Sequence, residues 1–182
     1  FPYTTLFRSG KLQGAKEGGN RELKRWRTVA ISTGEMDVET FLIAGGLKVK
    51  AGQLVRLLNV PMEKSTAYNG LANGKAHADA LKDAWLSNHG AAGREWVKWL
   101  AGHQQEAKQA VRDAQARWRG LIPADYGEQV HRVAERFAIL EAALVIGSEI
   151  TGWSEQASRD AIQHSFNAWV KEFGTGNKEH QQ

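Results

Sequence analysis

The sequence predicts a mainly α chain with a small β element near its start. Three observations predict it. Proline is scarce, at 3 in 182 residues, so few positions forbid a helix. From Lys75 to Phe173 apolar residues recur at threes and fours, the spacing of one helical face. Before Lys75 there are only two short apolar runs, Trp26 to Thr33 and Leu54 to Val60, and their length and β-branched content suit buried strands.

Hydrophobic residues make up 42% and charged residues 24%, the balance of a folded globular protein and not of a disordered chain. A chain of this length buries roughly 70% of its unfolded surface, enough for one real core. The absence of Cys removes disulfides, thiolate catalysis and thiolate metal sites, which suits a cytoplasmic protein. No apolar run approaches the roughly 20 residues that span a bilayer. A net charge of +4 permits a polyanion partner without demanding one.

Residues 1–9, Phe-Pro-Tyr-Thr-Thr-Leu-Phe-Arg-Ser, resemble a translated sequencing adapter. They lack the apolar core of a signal peptide. On that reading native sequence starts at about Gly10 and extends further upstream, and residues 1–9 stay outside the fold. Residues 10–25 are basic and glycine-rich without apolar periodicity, so they read as a loop or hairpin. In the first strand candidate Val29, Ala30 and Ile31 form the buried run, and Gly34 ends it. Asp37 is placed to cap a short helix carrying Val38, Phe41 and Leu42, closed by Gly45-Gly46. Leu54 to Val60 is the second strand candidate, stopped by Pro61. Residues 62–73 read as a polar loop with turn signals at Asn69-Gly70 and Asn73-Gly74.

The helical part follows. Ala76, Ala80, Leu81, Ala84 and Trp85 make one stripe, ending near Asn88-His89-Gly90. Trp96, Leu100, His103, Ala107, Val111, Ala114 and Trp118 predict one helix of about 28 residues, about 42 Å long, with Gly102 as a possible kink. Val130, Val133, Ala134, Phe137, Leu140 and Leu144 mark the next helix. After the turn Thr151-Gly152-Trp153, Ser154 with Glu155 opens a last helix carrying Ile162, Phe166, Trp169, Val170 and Phe173, and Gly174 stops it. The tail, residues 174–182, is expected to fray. The chain therefore divides into a short α/β portion, 10–73, and a helical portion, 74–173. Two strands do not make a stable sheet alone, so the α/β portion calls for strand partners outside this chain.

Familiar catalytic motifs are missing. There is no G-x-x-x-x-G-K-[S/T] phosphate loop and no strand ending in paired acids. His77, His89, His103, His131, His164 and His180 include no i, i+4 pair, and no metal site is expected. One segment has polyanion-binding character: Lys11, Lys16, Arg21, Lys24 and Arg25 interleave with glycines, which let cations and backbone N–H groups approach phosphates without reading bases. A plain solvated basic loop fits the same residues. The row Trp96, Trp99, Trp118, Trp169 reads as core packing in preference to base stacking.

The blocks Arg25 to Glu35 (RWRTVAISTGE), Gly52 to Pro61 (GQLVRLLNVP), His89-Gly90 with Gly93-Arg94, and Gln129 to Ala138 (QVHRVAERFA) resemble a bacterial and phage family, the domain of unknown function 927. The resemblance runs in order through residues 10–173. It implies a helicase-like P-loop ATPase of mobile elements, often joined to primase-like modules. In that scheme residues 10–73 are the C-terminal remnant of an α/β ATPase core and 74–173 a helical lid or bundle. ATP and Mg would be bound by the full-length parent and by no part of this chain alone. DNA would be the partner and a homo-oligomeric ring the working form.

The same resemblance implies roles. Ser32 and Thr33, with Glu35, would lie at the C-terminal edge of the sheet, where α/β folds bind ligands. There Ser32 and Thr33 would sense the γ-phosphate or attacking water, with Thr33 and Glu35 counted as catalytic. Alternatively these residues only end a strand and start a helix. Arg56 would be an arginine finger reaching a neighbouring subunit's phosphate, or an edge arginine facing solvent. Arg132 and Arg136, four apart on one face, would be lid arginines sensing nucleotide, or partners of Glu128 and Glu135. The competing class is a non-catalytic helical module that binds nucleic acid or protein.

Overall fold

The computed structural model describes residue 31, residues 33–49 and residues 54–176. The chain forms two compact units, Phe1–Asn59 and Val60–Gln182. The described residues hold seven helices and no strand. No helix among them is long and apolar enough to cross a membrane.

In the first unit, α1 spans Val38–Ala44. Asp37 caps it as expected: the Thr40 N–H donates to Oδ1 at 2.9 Å and the Thr40 hydroxyl to Oδ2 at 2.5 Å. Gly46, at φ +69°, reverses the chain so that its N–H reaches Ile43 O and the Leu47 N–H reaches Leu42 O, both at 2.9 Å. That pair of bonds is a Schellman closure, which needs the left-handed residue that glycine supplies. The Thr40 hydroxyl, then the Thr40 N–H, hold the Asp37 carboxyl below its usual 3.8. A depressed folded value means that the cap contributes fully above the ordinary pH range of Asp and is lost as pH falls below 3.8 through the folded value. We predict that the Thr40 amide resonance shifts toward its uncapped position over that window, and that Asp37→Asn, a good cap without a titration, removes the pH dependence. A Thr40 shift that persists in Asp37→Asn would refute this.

Both strand expectations need correction where residues are described. Ile31, expected to be buried, is 92% exposed and outside any strand. Trp26 to Ala30 and Ser32 lie outside the described residues. The second strand, Leu54 to Val60, does not form: Leu54 is helical, Val55 and Arg56 lie in a turn, and Leu58 to Val60 pair with no strand among the described residues. The apolar pairs 54/55 and 57/58 stand at i, i+1, i+3 and i+4, which suits a helical turn better than the alternation of a strand. Leu54 and Val55 are still buried, and the Val38 N–H reaches Asn59 Oδ1 at 3.4 Å.

Among its described residues the second unit holds six helices and no strand. Its helices are α2 (Gly74–Asn88), α3 (Ala91–Gly102), α4 (Gln104–Leu121), α5 (Glu128–Ile146), α6 (Ser148–Thr151) and α7 (Glu155–Phe173). Asn69 and Gly70 turn with positive φ as expected, whereas Asn73-Gly74 is no turn: the Asn73 side chain caps α2 by accepting from the Ala76 N–H at 3.0 Å. The predicted 28-residue helix is two helices. At His103 the backbone leaves helical geometry (φ −123°, ψ 35°), and its N–H and ring Nδ1 both meet Trp99 O, at 3.0 and 2.8 Å. Gly102, the costliest residue for a helix interior after proline, stands where the break occurs.

The core lies where α5 packs between α4 and α7. Val130, Val133, Ala134, Phe137, Ala138 and Ala142 of α5 are buried, as are Ala114 and Trp118 of α4 and Phe166, Trp169 and Phe173 of α7. Trp118, Phe137 and Phe166 form an aromatic triangle: Phe166 meets Trp118 edge-on at 5.1 Å and Phe137 at 5.4 Å. Leu140, expected in the stripe, is 44% exposed, and Ala138, Glu141 and Ala142 fill the face instead. The α2 stripe buries nothing, and Trp85 is 66% exposed.

Ser154 caps α7, its Oγ accepting from the Ala157 N–H at 3.1 Å. Past α7, Thr175 O accepts from the Gly127 N–H at 2.7 Å and ties the helix end to the start of α5. Ser154→Ala should cost about 1 kcal/mol and lower the thermal midpoint, while Ser154→Asp keeps it. Equal midpoints for Ser154→Ala and the wild type would show that the cap contributes nothing.

Candidate functional site

The residues singled out from the sequence fall into three groups. Lys11, Lys16, Arg21, Lys24, Arg25 and Ser32 lie outside the described residues. Thr33, Glu35 and Arg56 belong to the first unit and are exposed. Thr33 and Glu35 precede the Asp37 cap in irregular chain. Arg56 sits on the turn after buried Leu54 and Val55, so the expected strand setting is replaced by a solvent-facing turn.

Arg132 and Arg136 belong to the second unit and share the exposed face of α5. Arg132 donates to Glu128 one turn earlier, at 3.1 Å. Glu135 on the same face stands 3.9 Å from Arg119 of α4. α5 thus has two chemistries: Val130, Val133, Ala134 and Phe137 face the core, and a row of arginines and glutamates faces out.

The best-built polar element was not anticipated. Glu141, 2% exposed, sits in the apolar stripe of α5. Arg117 of α4 engages it with both arms of its fork: Nε donates to Oε1 at 3.0 Å and Nη2 donates to Oε2. The Trp118 indole N–H donates to Oε2 at 2.9 Å, and the Arg117 guanidinium lies 5.9 Å from the Trp118 ring centre. A bidentate, charge-assisted pair with a third donor gives the buried carboxylate a partner on each oxygen. It is arranged to hold α4 on α5. The signal for it was available: a carboxylate at a stripe position, four residues after Phe137, needs a buried partner.

Other polar and aromatic groups are less organised. Trp118 and Trp169 are core residues, as expected of the Trp row. Trp96 and Trp99 are only half-buried and stack in parallel at 5.8 Å, and Trp99 stacks on His103 at 4.5 Å. Gln129 Oε1, Ser158 Oγ and Arg159 Nε are buried without a hydrogen-bond partner. The described residues contain no group of three or more His, Asp or Glu placed to hold a metal ion. Compared with family models, curated proteins and solved structures, the chain matches none.

Proposed function

We propose that this chain is the C-terminal part of a DNA-dependent, helicase-like ATPase of the kind represented by the domain of unknown function 927. The observation that carries this reading is the division of α5. The block that resembles the family, Gln129 to Ala138, forms a helix whose apolar residues anchor it and whose Arg132 and Arg136 lie on the outer face. A helical lid needs that arrangement: a rigid back and cations turned outward. The exposed turn carrying Arg56 also suits a finger that reaches another subunit, because an arginine facing solvent is available in trans.

In this reading residues 10–73 are the remnant of the α/β core, and ATP with Mg is bound through a phosphate loop that this chain does not carry. Thr33 and Glu35, with Ser32, serve the nucleotide site. Lys11, Lys16, Arg21, Lys24 and Arg25 contact DNA phosphates, and subunits assemble as a ring. The second reading, a non-catalytic helical module, draws support from the Arg132–Glu128 pair, which satisfies that arginine within the chain.

The test is nucleotide hydrolysis by a polypeptide that joins this chain to a phosphate-loop core. Thr33→Ala and Arg56→Ala should each slow turnover while nucleotide affinity is retained. Turnover unchanged in both would leave the binding-module reading.

A further inference from the structure

A cavity of about 360 Å³ opens between the end of α4, the turn that follows it, and α7. Beneath it the packing is apolar: Trp118, Ile122 and Phe166 are buried, and the two rings meet edge-on at 5.1 Å. One wall is the turn bearing Pro123 and Tyr126. That turn is fixed by the Tyr126 N–H to Pro123 O at 3.1 Å and by the neighbouring Gly127–Thr175 bond. The opposite wall is a ridge of α7, where Gln163, Asn167 and Lys171 stand at i, i+4 and i+8 on one exposed face. The lining includes one cation and no carboxylate.

These features define a ligand. The volume is at the small end of the range for small-molecule sites, roughly 300–1,000 Å³. Above that packing the accessible apolar lining, Leu121, Pro123, Tyr126 and Val170, suits a flat apolar body. Two amides a helical turn apart offer paired donors and acceptors, the groups that meet the hydrogen-bonding edge of adenine. Lys171 supplies a point charge for an anion. A base with its attached phosphate meets all three requirements at once. We propose that this slot takes one unstacked base, adenine preferred, of a single-stranded nucleic acid, with the adjoining phosphate on Lys171. The proposal rests on the nucleic-acid half of the functional reading and not on its ATPase half.

The experiment is fluorescence anisotropy of a labelled short oligo-dA titrated with the whole chain at several salt concentrations, beside oligo-dT and an abasic oligomer of equal length. The wild type should bind oligo-dA, with the abasic oligomer weaker by about tenfold. Lys171→Glu should weaken oligo-dA by about tenfold and flatten the salt dependence by about one phosphate contact. Gln163→Leu with Asn167→Leu should erase the preference for dA over dT and leave the salt dependence intact. All three side chains are exposed, so unchanged circular dichroism is expected of every variant. Failure of the wild type to bind, equal binding of abasic and dA oligomers, or wild-type affinity in Lys171→Glu would each overturn the slot, the last by assigning binding to the basic segment before residue 26. None of these outcomes bears on hydrolysis by the joined polypeptide, so the slot and the ATPase reading fail separately.

Discussion

Arg117→Ala is expected to lower the stability of the helical unit by about 3 kcal/mol. The Glu141 carboxylate would remain 2% exposed with its counter-charge gone, and the Trp118 indole N–H cannot replace a guanidinium. Removing one partner of a buried pair costs about 3–5 kcal/mol. The lower end applies because the Arg117 side chain keeps 34% exposure, so water enters in its place. Replacing both partners by apolar residues of similar volume, Arg117→Met with Glu141→Leu, should recover only part of that loss: the desolvation cost vanishes along with the pair, but the buried Trp118 indole N–H loses its acceptor, at about 1–3 kcal/mol. Urea unfolding followed by Trp fluorescence measures each variant, and the double-mutant cycle isolates the coupling. A single variant within about 0.5 kcal/mol of the wild type would mean that the pair holds nothing.

Arg56→Ala in the joined polypeptide should reduce turnover by about 10³–10⁵ if Arg56 is the finger of the proposed ATPase. A finger acts on charge that develops during phosphoryl transfer, so kcat falls while KM stays. Arg56→Lys should not rescue it, because an ammonium lacks the planar fork. Arg56 is exposed on a turn, so the fold should survive and lost turnover would not be lost structure. Mixed rings of wild-type and Arg56→Ala subunits should restore activity only where an intact arginine faces a neighbour's nucleotide. A wild-type rate from homogeneous Arg56→Ala would end the assignment.

Many of the helix boundaries in both units were legible because they are written in local chemistry. Asp37 and Ser154 cap where a side-chain oxygen meets an orphan N–H, and Gly46 and Gly174 close where positive φ is needed. The Val130 to Phe137 stripe located the core face of α5. What escaped depended on partners distant in sequence. Glu141 reads as an interruption of a stripe until Arg117 is brought across from α4. Leu54 to Val60 reads as a strand only if a second strand is assumed, and its side-chain spacing favours a turn. The break at His103 was half visible in Gly102, but periodicity continues through it and conceals the change of axis. For the candidate site, the sequence named Thr33, Glu35, Arg56, Arg132 and Arg136 through resemblance. The structure assigns them exposure, and nothing in the residue types alone separates an exposed arginine awaiting a phosphate from one that merely faces water.

The order in which the bundle is assembled bears on how it is made. Its core joins α4 to α5 and α5 to α7, consecutive long helices, and the Arg117–Glu141 lock spans only 24 positions. Contacts so local close small loops, which favours rapid search and early collapse. α4 and α5 can pair first, and α7 can then dock on the surface they form. No core contact of these three helices waits on a distant segment, so the bundle is suited to reach its native packing by stepwise docking of neighbours in the chain.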